Sequence, residues 1–144
     1  IYNTAIFLDL DSTISLYHKT KLVPGVEQIP YSFILNKIGD FTVDLGGTSG
    51  SLSVDNVIDR FEYNELKILP LICYESIFGD IITSRESNVI VIITNDGWWK
   101  NTSGYKQHFS YSKLRAIETA KPIASKFNKE IKVKLKDLAK CILA

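Results

Sequence analysis

The runs Ile68-Leu-Pro-Leu-Ile-Cys73 and Asn88-Val-Ile-Val-Ile-Ile-Thr94 have, between their ends, no polar side to leave in water. A strand that is apolar on both faces belongs to a sheet covered on both sides. The Val and Ile content of the second run suits a pleated, packed surface. Between the two runs, residues 76–84 can start a helix, and strand, helix and strand in that order make a parallel unit. The middle of the chain therefore reads as α/β.

Upstream, Thr4 to Asp9 and Ile14 to Tyr17 are short apolar runs split by Asp11-Ser-Thr13, which predicts a hairpin. A loop held by Pro24 and Gly25 follows, then a short helix over 29–38. Asp44-Leu-Gly-Gly-Thr-Ser-Gly-Ser51 is a flexible turn without the Lys-Ser/Thr ending of a phosphate-binding loop. Phe61-Glu-Tyr63 and Lys67 to Tyr74 are strand-like around Asn64. Downstream, Asn95-Asp-Gly97 closes the second buried strand. Gln107 to Ala120 predicts a helix with Phe109, Leu114, Ile117 and Ala120 inward, stopped before Pro122. From Lys126 to Ala144 the character changes, with six lysines against one Glu and one Asp.

A chain of 144 residues with 45% hydrophobic and 23% charged content has the balance of one globular domain. Its 17 basic and 16 acidic residues leave a net charge of +1, so there is no basic footprint for nucleic acid. Cys73 and Cys141 allow at most one disulfide, and neither stands at metal-ligand spacing with His18 or His108. No metal and no cofactor is expected. The longest apolar run falls far short of the roughly 20 residues of a membrane-spanning helix. The start, Ile1-Tyr-Asn-Thr-Ala-Ile-Phe-Leu-Asp9, lacks the charged and apolar regions of a signal peptide. With no Met anywhere, it reads as the interior of a longer reading frame.

Cys73 ends a buried strand and is followed at once by Tyr74, Glu75 and a helix start. At such a turn a side chain is exposed and helix N–H groups point toward it. A thiolate suits that place, because a positive helix end and a nearby ammonium lower a thiol pKa and the same N–H groups can bind an oxyanion. A small buried hydrophobe is the alternative. Lys19 could hold a thiolate and then an oxyanion if the fold brings it beside Cys73, with Glu27 or Glu75 supplying a carboxylate. His108 is either a base of the Cys-His kind or a capping and packing residue. Trp98-Trp99 either pack or border a ligand site beyond a strand's C-terminal end.

Four segments carry a family resemblance: Tyr17-His-Lys-Thr-Lys-Leu-Val-Pro-Gly-Val-Glu27, Ile72-Cys-Tyr-Glu75, Thr94-Asn-Asp-Gly-Trp-Trp99, and Gln107-His-Phe-Ser-Tyr-Ser-Lys-Leu-Arg-Ala-Ile-Glu-Thr119. In order and spacing, residues 1–125 resemble the nitrilase-like domain of bacterial apolipoprotein N-acyltransferases, in the form found in Bacteroidetes-type bacteria. The resemblance implies part of a nitrilase-like αββα sandwich, missing its first and last strands. It also implies Cys73 as acyl-accepting nucleophile, Lys19 as catalytic lysine and Glu27 as a carboxylate needed near the site. Tyr74 and Glu75 would complete the cysteine turn, with Trp98 and Trp99 near the substrate.

The implied reaction is ping-pong, from a phospholipid acyl donor through a Cys73 thioester to the amine of a diacylglyceryl lipoprotein. The Tyr74 N–H and the Lys19 ammonium would form the oxyanion hole. The implied location is the periplasmic side of the bacterial inner membrane, reached through N-terminal helices that this chain lacks. Three features depart from the pattern. The family's general-base glutamate lies further before the lysine motif than the 18 residues here allow, Lys100 stands where a glycine is usual, and residues 126–144 match nothing in it. A fragmentary or frameshifted gene accounts for all three, and on that reading the chain alone is inactive. A soluble carbon–nitrogen hydrolase and an inactive remnant are the competing readings.

Overall fold

The computed structural model describes residues 1–28, 52–54, 60–84, 86–95 and 102–127. The expected helix over 29–38, the 44–51 turn, Trp98, Trp99, Lys100, Cys141 and the tail beyond Phe127 lie outside the described residues.

Strands β1 (Thr4–Leu8) and β2 (Ile14–His18) form the expected antiparallel hairpin, with Ile6 opposite Leu16 and Leu8 opposite Ile14. Its turn closes through Asp9, whose N–H donates to Thr13 O and whose carbonyl accepts from Ser12 N–H, both at 3.0 Å. Alternation along the strands turns Ala5, Phe7 and Tyr17 inward. Ile6, Leu8, Ile14 and Leu16 face out and stay more than half exposed.

A second sheet has the order β3 (Phe61–Tyr63), β4 (Leu66–Ile72), β5 (Val89–Thr94), β6 (Ile123–Phe127). The β3–β4 pair is antiparallel, turning at Asn64 with a φ of 53°, and the other two pairs are parallel. Each parallel pair is bridged by a helix, α1 (Gly79–Thr83) between β4 and β5 and α2 (Gly104–Thr119) between β5 and β6. Pro70 is tolerated in β4 because the β3 ladder ends at Ile68, so its missing N–H costs that pair no rung.

The two faces of β4 and β5 explain why their sequences carry no polar side. Ile68, Ile72, Val89 and Val91 pack toward the hairpin with Ala5, Tyr17, Phe61 and Ala124, and Phe7 stacks on Phe61 at 5.3 Å. Leu69, Leu71, Ile90 and Ile92 pack on the opposite face against Ile81 and Ile82 of α1. Hairpin, sheet and helices thus make successive layers, and the mixed α/β expectation holds.

The helix expected to start within 76–84 does so at Gly79: Cys73–Ile77 is a 3₁₀ turn, Phe78 takes an extended conformation (φ −97°, ψ 109°), and α1 follows. The missing side chain at Gly79 lets α2 come close, since a Cβ there would lie 2.9 Å from Nη1 of Arg115. One expectation fails, the orientation of α2. Phe109, Leu114 and Ile117 are 44%, 45% and 80% exposed and Ala120 is exposed too, while Gly104, His108, Ser112 and Arg115 are buried. The helix lies over the 3₁₀ turn, whose carbonyls need donors, so its polar stripe faces in.

Candidate functional site

The site is built where β4 ends. Cys73 is the first residue of the 3₁₀ turn and has a φ of 52°, a left-handed conformation that is uncommon and costly for a residue with a side chain. Such strain persists only where surrounding contacts fix it, and here they are numerous.

Glu75 supplies most of them. Its carboxylate is fully buried. Oε1 accepts from Tyr17 Oη at 2.9 Å, from Thr20 N at 2.6 Å, from Thr20 Oγ1 at 2.8 Å and from Lys21 N at 3.3 Å. Oε2 accepts from Ile72 N at 2.8 Å. A buried carboxylate is tolerable only when donors replace its water, and five do so. The result ties the loop after β2 to the cysteine turn.

Lys19 sits inside that tie, between Tyr17 and Thr20. Its side chain is 1% exposed and its Nζ donates to Glu27 Oε1 at 2.9 Å and Oε2 at 2.7 Å. The sequence leaves Glu27 and Glu75 as alternative carboxylates; the geometry pairs Lys19 with Glu27. A turn makes this possible, with Gly25 at a φ of 82° and its N–H on Gln28 O. Glu27 is held in turn by the Val23 N–H at 2.8 Å and by Asn3 Nδ2 at 3.0 Å. An ammonium gripped by both oxygens of one carboxylate is a fixed group in the loop that Glu75 ties to the cysteine turn.

His108 bonds the backbone and hydroxyls around the cysteine turn. Its Nε2 lies 3.0 Å from Cys73 O and 2.9 Å from Ser76 Oγ, and its Nδ1 lies 3.5 Å from Thr94 Oγ1. A carbonyl only accepts, so the bond to Cys73 O requires the proton on Nε2. Arg115, which sequence reasoning missed, donates from Nε to Ser76 O at 3.1 Å and from Nη2 to Ile77 O at 3.2 Å, and Nη1 pairs with Glu118. One signal would have found it: His108, Ser112 and Arg115 recur at the spacing of a single helix face, a polar stripe where an apolar one is usually sought.

Tyr74 packs edge-on against Phe78 with ring centroids 5.1 Å apart, and Lys21 lies 5.5 Å over the Phe78 ring. The structure therefore brings together Cys73, Tyr74, Glu75, Lys19 and Glu27 from segments more than 45 positions apart; Trp98 and Trp99 lie outside the described residues. Among the described residues no group of three or more His, Cys, Asp or Glu is arranged to hold a metal ion, and no helix is long and apolar enough to cross a membrane.

Residues 1–131 match the carbon–nitrogen hydrolase family. Curated relatives include apolipoprotein N-acyltransferases from Rhodopseudomonas palustris, 36% identical over 132 residues, and from Allorhizobium ampelinum, 38% identical over 135 residues. Another, from Rickettsia bellii, is 40% identical over 134 residues. These alignments cover 88%, 90% and 88% of this chain and 24%, 25% and 25% of the relatives, so the chain spans about a quarter of their length. The fold is similar to that of a solved CN-hydrolase superfamily protein from Xanthomonas campestris, with a TM-score of 0.59 at 15% identity, covering 90% of this chain and 43% of that one.

Proposed function

The chain belongs to the carbon–nitrogen hydrolase family, and from that premise we propose that it is part of an apolipoprotein N-acyltransferase in which Cys73 carries the acyl group. The observation that supports this best is the buried Lys19–Glu27 pair, linked through Glu75 to a turn that begins at a strained cysteine.

In the proposed reaction the Cys73 thiolate attacks the ester carbonyl of a phospholipid acyl chain, forming the C–S bond. The carbonyl electrons move to oxygen, where the Lys19 ammonium and the Tyr74 N–H receive the charge. Collapse expels the lysophospholipid alkoxide, which takes up a proton, and leaves a thioester. The α-amine of a diacylglyceryl cysteine then attacks the thioester, giving an amide and returning the thiol. The thiol proton goes to a general-base carboxylate, which the family resemblance places before the lysine motif. Glu27 keeps Lys19 oriented, and Glu75 keeps the lysine loop against the turn. Trp98 and Trp99 border the lipid.

The same reading takes residues 1–125 as part of an αββα sandwich on the periplasmic side of the inner membrane; β6 and the family match run past that boundary, to Phe127 and residue 131, so only the segment beyond them is read as foreign to the domain. The outward apolar face of the hairpin, Ile6, Leu8, Ile14 and Leu16, supports an incomplete sandwich whose outer layer lies elsewhere in the domain. For the isolated chain we accordingly expect no lipid turnover. A soluble carbon–nitrogen hydrolase would use the same groups with water as the acyl acceptor.

The test is mass spectrometry of the full-length protein after incubation with a phospholipid of known acyl chains. The expected result is a hydroxylamine-sensitive acyl adduct on Cys73 that Cys73→Ala abolishes. Absence of that adduct, or ammonia release from simple amides in its place, overturns the acyltransferase reading.

A further inference from the structure

The peptide between Cys73 and Tyr74 is trans and planar, so its C=O and N–H point in opposite directions. The carbonyl is held on one side by two donors. His108 Nε2–H reaches it at 3.0 Å and Ser76 Oγ–H at 2.9 Å, and His108 is itself buried within α2. Fixing the carbonyl there fixes the Tyr74 N–H on the other side. As a first-turn amide it has no acceptor within the 3₁₀ turn. The left-handed φ of Cys73 makes this peptide orientation one that the backbone does not adopt by preference.

We propose that His108 is a positioning residue that, with Ser76, locks the Cys73–Tyr74 peptide so that the Tyr74 N–H is presented as an oxyanion donor. This rests on the thioester reading above and adds to it the part of the fold that keeps the donor from rotating away. Arg115, holding the carbonyls of Ser76 and Ile77 at the far end of the same turn, braces the clamp from two helical turns further along α2. The polar inner face of α2 thus serves the site through the carbonyls of the turn.

The proposal separates two reactions of one thiol. Acylation by p-nitrophenyl butyrate forms the C–S bond, develops an oxyanion that needs the Tyr74 N–H, and expels p-nitrophenolate. Alkylation by iodoacetamide displaces iodide at a saturated carbon and develops no oxyanion. In the full-length protein in detergent, His108→Ala is expected to lower the acylation rate of Cys73 relative to its alkylation rate by about tenfold or more, a loss approaching that of an oxyanion donor. His108→Gln, which keeps an N–H at the ε position, is expected to restore the ratio to within about threefold, and His108→Asn, which does not, to leave it low. An unchanged ratio in His108→Ala overturns the proposal. If that variant does not fold, equal ratios in the Gln and Asn variants overturn it and a higher ratio in the Gln variant supports it. A wild-type protein that alkylates at Cys73 but gives no ester adduct sinks the thioester reading instead, and the two failures are distinct.

Discussion

The middle of β4 and β5 and the end of the same two strands are built on opposite rules. In the middle, Leu69, Leu71, Ile90 and Ile92 meet Ile81 and Ile82 through contacts that have no direction, and any side chain of similar volume satisfies them. At the end, Glu75, Lys19, Glu27, His108 and Arg115 are all buried or nearly so, and every one is matched to named atoms at hydrogen-bond distance. A few residues along a strand separate a region that tolerates exchange from one that does not. The apolar middle supplies stability of a generic kind, and this lets the end hold charges whose burial is costly unless they are paired.

Two substitutions probe that contrast, and a third lies outside it, in falling order of effect. Glu75→Ala strands the donors of Tyr17, Thr20, Lys21 and Ile72, and is expected to destabilise by about 3–5 kcal/mol, the range for removing one partner of a buried charged group. Denaturant unfolding measures it, and a cost below about 1 kcal/mol would remove the distinction between the two regions. Leu71→Met exchanges volume for volume in the middle and is expected to cost less than about 1.5 kcal/mol by the same unfolding measurement, with the alkylation rate of Cys73 unchanged. A larger loss would mean that the middle is as particular as the end.

The smallest effect belongs to neither region. Glu86 is exposed, and a hydrogen bond from Lys67 holds its carboxyl below the ordinary glutamate value. A depressed folded-state pKa contributes stability that is present above the unfolded value and lost as the pH falls through the folded one. NMR titration of the Glu86 carboxyl is expected to show the depression, and Lys67→Met to lessen it, leaving the smaller pull of Arg60 and Lys121, with almost no change in stability at neutral pH.

The hairpin, the two buried strands and their parallel order were legible because burial on one or two faces writes itself into alternation or its absence. The orientation of α2 was not. A periodicity search assumes that a helix faces apolar surface, whereas α2 faces the carbonyls of Cys73, Ser76 and Ile77, so Phe109, Leu114 and Ile117 pointed the wrong way. Cys73, Lys19, Glu27 and Glu75 were legible as candidates. Their pairing was not, because whether Lys19 meets Glu27 or Glu75 depends on a turn at Gly25 that only the folded loop displays. The break at Phe78 was also hidden, since nothing local forbids a helix there. The closeness of α2 at that point was hidden too, since it depends on Gly79 having no side chain where Arg115 approaches.

The bonds between Glu75 and the lysine loop span 54 to 58 positions of sequence. The β1–β2 hairpin, by contrast, closes through residues 9–13 and can form as soon as it is made. Long closures are slow because chain entropy is lost before any contact compensates. During synthesis Lys19 therefore waits, unburied, until the ribosome has released the second half of β4 and the turn after it. The site is completed later still, because His108 and Arg115, which bond the carbonyls of the same turn, lie 35 and 39 positions beyond the carbonyls they hold.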